Sequence, residues 1–405
     1  MRKQLLADRL ANSLDFSKRA IQHLIIDGHS APEDAPWYVR PEKIIAESAF
    51  LLAFTKKGKI YDQVSEAFTD LVELLEPLAR SKAMLMNICL KPALALDYAH
   101  SHICMNYLGY PDKNFDAAIK DALRSEAAEG IERVPYRMLE REWLRSIWDG
   151  QHSEDGCKFW IPLSCLKHQV DLFSDSTDGV YALTHAIMYT TFGGKEISGL
   201  DATEQLLTVE ALLVRFMDEQ NYDIAGELLM AWPLLRKPMT PVAKFALECM
   251  IEIEERVGFL PAPGLDRSMV EGKEIDERRT YIYSINYHTV MVMGLLCGSL
   301  LGNTDYAEIN ANEVDHSMEM KNWLMNELHG EEQPHWMEFF LKLKLKQKQA
   351  LIPWLYQAFL VRHVIDRKYV HVKKMLELSK GSSLEALPVS RQAKELLHRL
   401  ARNAI

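Results

Sequence analysis

The sequence predicts an all-α protein built from antiparallel helical hairpins, and three observations lead there. Apolar residues recur at spacings of three and four along most of the chain, as in L-L-A-D-R-L-A-N-S-L-D-F-S-K-R-A-I-Q-H-L-I-I at 5–26. Prolines and glycines fall where helices start and stop. Alternating patterns between hairpin turns, the mark of strands, are essentially absent.

After the first helix, the same periodicity places helices over about 42–56, 60–79, 92–108, 115–128, 135–148, 178–192, 204–219, 221–235, 240–257, 279–301, 336–347, 353–378 and 389–403. Pro92, Pro135 and Pro353 stand in first turns, where the N–H that proline lacks has no partner to lose. Gly109, Gly150, Gly193 and Gly302 follow apolar runs, as C-caps do. The run T-V-M-V-M-G-L-L-C-G-S-L-L-G at 289–302 is shorter than the roughly 20 residues of a bilayer span and reads as a buried helix. The least helical segments, 149–170, 258–278 and 303–334, read as rims or lids.

Short connections between such helices imply hairpins that either stack as a solenoid or curl into an α/α toroid. No regular repeat is visible, so the toroid, or a partly closed barrel around a central pocket, is expected. On this reading 1–302 forms the toroid-like domain and 303–405 a helical extension packed on it.

An apolar share of 48%, a charged share of 26% and a net charge of -10 describe a soluble globular chain. Interspersed acids and bases leave no basic face for nucleic acid. The most basic stretch, K-L-K-L-K-Q-K at 342–348, reads as the solvated side of a helix. The charged N-terminus lacks a signal peptide's apolar core, so the expected compartment is the cytoplasm. Six cysteines form no C-x-x-C pair, and Cys104, Cys249 and Cys297 lie in apolar patterns as small hydrophobes.

E-R-V-P-Y-R-M-L-E-R-E-W-L at 132–144, Y-A-L-T-H-A-I-M-Y at 181–189, Y-D-I-A-G-E-L-L-M-A-W-P-L at 222–234, G-F-L-P-A-P-G at 258–264 and Y-H-T-V-M-V-M-G-L-L-C at 287–297 occur in this order. In order and spacing they resemble an uncharacterised, largely actinobacterial helical family of unknown function, over roughly 40–300. The resemblance implies a helical fold and links to specialised-metabolite pathways; it brings no reaction or catalytic residues.

The chemistry is sought first in D-S-T-D-G-V-Y-A-L-T-H-A-I-M-Y at 175–189. Asp178, Tyr181, His185 and Tyr189 share one helical face at spacings of three and four. Either Asp178 caps the helix and the others are satisfied core polars, or the stripe faces a pocket where desolvation tunes proton transfer. Tyr287 and His288 open the most apolar helix, where a histidine needs a partner or a cavity. Glu227 and Trp232 are expected near the pocket, across a helix that Gly226 lets pack closely. Asp97, His100, His102 and Cys104 form a denser cluster with His102 facing away, read as structural; Cys165 and His168 read the same way. The helix at 132–145 reads as a salt-bridged scaffold from which Arg133 or Arg137 reaches an anion.

No P-loop, G-x-S-x-G elbow, dinucleotide fingerprint, H-E-x-x-H or D-D-x-x-D is present. D-S-T-D is similar to the D-x-D-D of protonation-type terpene cyclases, but Thr177 stands in the third position, where the proton-delivering aspartate belongs. The leading expectation is an enzyme of bacterial specialised metabolism. It would perform cofactor-independent acid–base chemistry (cyclisation, isomerisation or elimination) on a largely apolar small molecule. Asp178, His185 and His288 are its catalytic candidates; Tyr181, Tyr189, Tyr287, Trp232 and Glu227 are its substrate-binding ones. A small-molecule substrate and a second copy of the chain are the expected partners, with no metal, nucleic acid or membrane span. The alternatives are a non-catalytic scaffold or ligand carrier, and a histidine-ligated metal enzyme.

Overall fold

The computed structural model describes residues 3–27, 40–57, 60–149, 154–174, 176–192, 201–302, 317–328 and 334–403. Every regular element among them is helical. Asp175, Gly150 and Gly193 lie outside the described residues.

In chain order the helices are α1 (Lys3–Ile21), α2 (Pro41–Lys57), α3 (Ser65–Ala79), α4 (Lys82–Leu90), α5 (Ala95–Leu108), α6 (Lys113–Leu123) and α7 (Pro135–Trp148). The middle of the chain adds α8 (Glu154–Trp160), α9 (Asp178–Thr191), α10 (Ala202–Asp218), α11 (Tyr222–Leu229), α12 (Ala231–Leu234), α13 (Pro241–Val257) and α14 (Ile275–Leu301). The tail contributes α15 (Met318–Glu327), α16 (His335–Lys342), α17 (Leu345–Ala350), α18 (Ile352–Ile365), α19 (Tyr369–Leu378) and α20 (Pro388–Arg402).

Six of these helices pack in a cycle: α2 on α5, α5 on α7, α7 on α9, α9 on α11, α11 on α14, and α14 back on α2. Around them, α1 lies along α14, α3 covers α1 and α5, α4 and α6 cover α5, and α10 covers α11. The tail sits on the far side of α10: α18 and α20 pack on α10, while α16 packs on α13. Specific bonds tie it down. Arg362 forks onto Asp218 (Nη2 to Oδ1 2.5 Å), the Gln392 amide donates to Val170 (2.7 Å), and the Tyr222 hydroxyl meets His335 Nδ1 at 2.8 Å.

Two glycines set the spacing at the centre. A Cβ on Gly294 would stand 2.7 Å from Ser13 Cβ and 3.2 Å from Leu51 Cδ1, so α14 touches α1 and α2 where it has no side chain. A Cβ on Gly226 would lie 2.6 Å from Val292 Cγ1, which presses α11 equally close to α14.

Several helices differ from the sequence expectation. The helix expected over 221–235 divides at Met230, because Pro233 has no N–H to give Leu229. The one expected over 353–378 breaks where Arg367 turns left-handed (φ 59°). Gly109 ends α5 in the left-handed conformation, but Gly302 ends α14 at φ -71°. Segments read as irregular hold α8, α15 and the start of α14. With that start, α14 runs 27 residues, long and apolar enough to cross a membrane by length and composition (mean hydropathy 1.3). Of its apolar window 83% is buried against other helices, which makes it a core helix here.

Replacement of Gly294 by Ala is expected to lower stability by about 1–3 kcal/mol, the cost of overpacking a filled core, as a fall in the urea midpoint. A second expectation concerns Glu210, buried between α10 and α18, where it accepts bonds from Thr240 and Gln357 and burial raises its pKa. Its folded state therefore favours the protonated form. The charge penalty is absent below the unfolded value of about 4.3 and sets in as pH rises through the raised folded value. Glu210→Gln should stabilise the protein at pH 7, with the gain vanishing near pH 4. A turn of the Gln357 amide would bring its Oε1, which has no hydrogen-bond partner, to the new amide.

Candidate functional site

Each helix of the cycle sends polar side chains toward one interior region. Glu47 comes from α2, His100 from α5, Arg137 and Glu140 from α7, Tyr181, His185 and Tyr189 from α9, Asp223 and Glu227 from α11, and His288 from α14. Local structure makes this possible. The Asn221 side chain caps α11 by accepting the Ile224 N–H, so the Asp223 and Glu227 that follow lie one turn apart on one face.

Glu227 is the point of convergence. Its Oε2 accepts the Thr184 hydroxyl at 2.5 Å. Its Oε1 stands 3.6 Å from His185 Nε2 and 3.7 Å from His288 Nε2. Asp223 accepts Tyr181 on Oδ2 (3.0 Å) and Thr289 on Oδ1 (3.1 Å), and that Oδ1 is 3.6 Å from His288 Nε2. His288 turns its other nitrogen, Nδ1, to Glu47 Oε2 at 3.0 Å, and Lys43 backs Glu47 at 3.4 Å. Beside this core Glu140 takes the Tyr189 hydroxyl (2.9 Å) and Arg137 (2.6 Å). His185 is enclosed by the rings of Tyr136, Tyr181 and Tyr189 at 5.6, 6.0 and 5.9 Å.

The floor is dry and the rim is not. Asp223 and Glu227 are buried, whereas the side chains of His288 and His185 keep 28% and 20% of their surface and Arg137 keeps 43%. Solvent therefore reaches the histidines but hardly the carboxylates. Burial opposes the ionisation of Glu227, yet His185 and His288 outweigh it and hold its pKa low. For Asp223, burial and the neighbouring Glu227 charge win, and its pKa is raised. Burial would depress His288, but Asp223, Glu47 and Glu227 push it well above its ordinary value. Burial also lifts the hydroxyls of Tyr181 and Tyr189, so both act as hydrogen-bond donors at neutral pH.

Of the residues singled out from the sequence, Tyr181, His185, Glu227 and His288 meet in this cluster, and Tyr189 adjoins it through Glu140. Asp178 does not: it is the exposed first residue of α9, takes part in none of these bonds, and is not the N-cap, which is Thr177. Tyr287 is buried beside His288, and Trp232 is fully buried with an indole N–H that donates to none of the cluster. Asp223 and Glu47 were missed. Asp223 carried a readable signal, an acid four residues before Glu227 in an otherwise apolar helix. Glu47 follows Lys43 at i, i+4 and looks like a surface pair. His100 and His102 part company: His100 approaches Glu140 and Glu47, whereas His102, fully buried, bonds Asp116 (2.9 Å) and Arg80 (3.1 Å) in the outer layer. Cys104 is buried and His168 exposed.

A crevice between Ile187, Met188, Val209 and Leu234 reaches Glu227 and Thr184. It is too finely divided to admit a water molecule, so the solvated rim is the way in. The arrangement offers a histidine beside a buried carboxylate for proton transfer. It also offers three donor atoms, from Asp223, Glu227 and His288, within 4.8 Å of one another.

A family model described as a domain of unknown function (DUF6895) matches residues 10–298. Comparison with curated proteins and with solved structures gives no match. The matched span contains every residue of the cluster.

Asp223→Asn tests whether the cluster is a structural or a functional one. The amide oxygen still accepts Tyr181, and a buried charge beside Glu227 disappears. After chelator treatment the variant is expected to be as stable as the parent or more stable, by up to ~1 kcal/mol in urea unfolding. A loss of ~3–5 kcal/mol, typical of breaking a structural buried pair, would assign Asp223 to the scaffold instead.

Proposed function

The chain belongs to the DUF6895 family, and we propose that it is an enzyme moving a proton on a small molecule at the Asp223–Glu227–His288–His185 cluster. One observation carries the reading: His185 and His288, from α9 and α14, both face Oε1 of the same buried carboxylate. A scaffold has no need of two half-exposed histidines aimed at one desolvated acid. His185 is the proton carrier, Glu227 orients its ring, and Tyr181 and Tyr189 shape the space around it.

Lys43, Arg137 and Tyr136 stand at the rim, which favours a substrate with a polar or anionic group over a wholly apolar one. Cyclisation, isomerisation and elimination all remain within the reach of such a pair. The likeness to actinobacterial sequences supports a specialised-metabolite pathway as the setting.

Deletion of the gene in its host, read by mass spectrometry, identifies the metabolite that builds up or vanishes. Returning the wild-type chain should restore the profile. His185→Gln, with an unchanged circular dichroism spectrum, should lower product by ~10²-fold or more, the usual worth of a positioned acid–base group. Full restoration by folded His185→Gln, or a deletion that alters no metabolite, would sink the catalytic reading.

A further inference from the structure

We propose that the cluster binds one divalent first-row transition-metal ion, held by Asp223, Glu227 and His288, with His185 at the edge of its coordination sphere. The inference rests on this cluster being the functional site, but it is read without turnover.

The spacing is the first argument. His288 Nε2 lies 3.6 Å from Asp223 Oδ1 and 3.7 Å from Glu227 Oε1. These distances are long for hydrogen bonds. They are close to the ~3.3 Å that separates neighbouring donors around an ion with bonds of about 2.0–2.1 Å. All three donors lie within 4.8 Å of one another, so a contraction of the three side chains would bring them to an ion at their centre.

Orientation is the second argument, and it involves different atoms. A metal-binding histidine almost always gives its other ring N–H to a carboxylate or carbonyl, which fixes the tautomer and aims the free nitrogen. Glu47 does this to His288 at 3.0 Å. The carboxylates are aimed the same way. Thr184 holds Oε2 of Glu227 and leaves Oε1 toward the centre; Tyr181 holds Oδ2 of Asp223, while Oδ1, which also accepts the Thr289 hydroxyl, faces His288. Nothing in packing alone requires each ligand to have its far side fastened and its near side turned to one point.

Charge and donor type complete the case. Asp223 and Glu227 present two acids in a dry floor, and a divalent ion matches them where one imidazole does not. Two oxygens and one imidazole nitrogen suit zinc, manganese or iron(II); calcium and magnesium prefer all-oxygen sets, and no sulfur is present for copper(I). His185 Nε2, 3.6 Å from Glu227 Oε1, is within a small ring movement of a fourth position, and its Nδ1 is a buried nitrogen without a hydrogen-bond partner. When bound, such an ion would polarise a substrate oxygen or acidify a bound water beside His185.

The test uses the full chain, purified without a histidine tag and stripped by chelator. Zinc, cobalt(II) and manganese(II) are titrated separately, followed by elemental analysis after desalting, by cobalt absorption and by thermal unfolding. About one ion per chain is expected, with a raised unfolding temperature. Glu227→Gln and His288→Asn should lose retention of the ion, and Glu47→Gln should weaken binding by ~10–100-fold, as loss of an outer partner does. His102→Asn, at a separate buried histidine that pairs with Asp116, should bind as wild type. Should Glu227→Gln fail to fold, Asp223→Asn replaces it. Folded wild type that retains no ion and shows no thermal shift with any of the three overturns the proposal. So does binding that survives in the folded ligand variants. A wild type that retains no ion yet restores the metabolite would sink the metal and leave the enzyme standing; one retained ion without any metabolite change would do the reverse.

Discussion

Carboxylates inside a helical interior are the constraint to which the rest of this structure answers. Glu47, Glu140, Asp223 and Glu227 lie on three helices of one cycle, α2, α7 and α11, and a buried charge is costly unless it is paired and hydrogen-bonded. Every helix of the cycle except α11 accordingly carries part of the compensation: Lys43 on α2, His100 on α5, Arg137 on α7, Tyr181, Thr184 and His185 on α9, His288 and Thr289 on α14. The glycines at 226 and 294 serve the same end. Without side chains there, α14 sits deep enough for its histidine to meet the acids of α11.

Helix content and most helix limits were legible in the sequence, because amphipathic periodicity is a local signal and capping residues mark it. The π-helical end of α1 and the breaks at Met230 and Arg367 were not, since they depend on single residues inside an unbroken apolar pattern. The Tyr181–His185–Tyr189 stripe was legible for the same reason as the helices: one face, one period. Its partners were only half legible. Glu227 and His288 stood out as polar residues in apolar runs. Asp223 and Glu47 look ordinary until the fold sets them opposite His288, which is a relation between residues 241 apart for Glu47. Asp178 illustrates the reverse error. It shares the stripe's spacing but lies at the first turn, where the helix leaves the interior for solvent.

The arrangement also separates two kinds of interior histidine that sequence reading treats alike. His102 is held on both nitrogens by Arg80 and Asp116, with Trp148 and Asn106 closing the same carboxylate, and no surface is left for a ligand. His288 is firmly held on one side only. Its second nitrogen faces acids at distances that neither satisfy a hydrogen bond nor exclude a guest.

The bond between Tyr222 and His335 gives the C-terminal helices a part in this geometry. Tyr222 precedes Asp223, so the first turn of α11 is pinned from outside by a residue more than a hundred positions away. A chain cut after α14 would keep every side chain of the cluster and lose the peg that sets the pitch and roll of the eight-residue helix bearing both acids. The tail is thus a splint for the interior, held stiff by the packing of α18, α19 and α20 on one another.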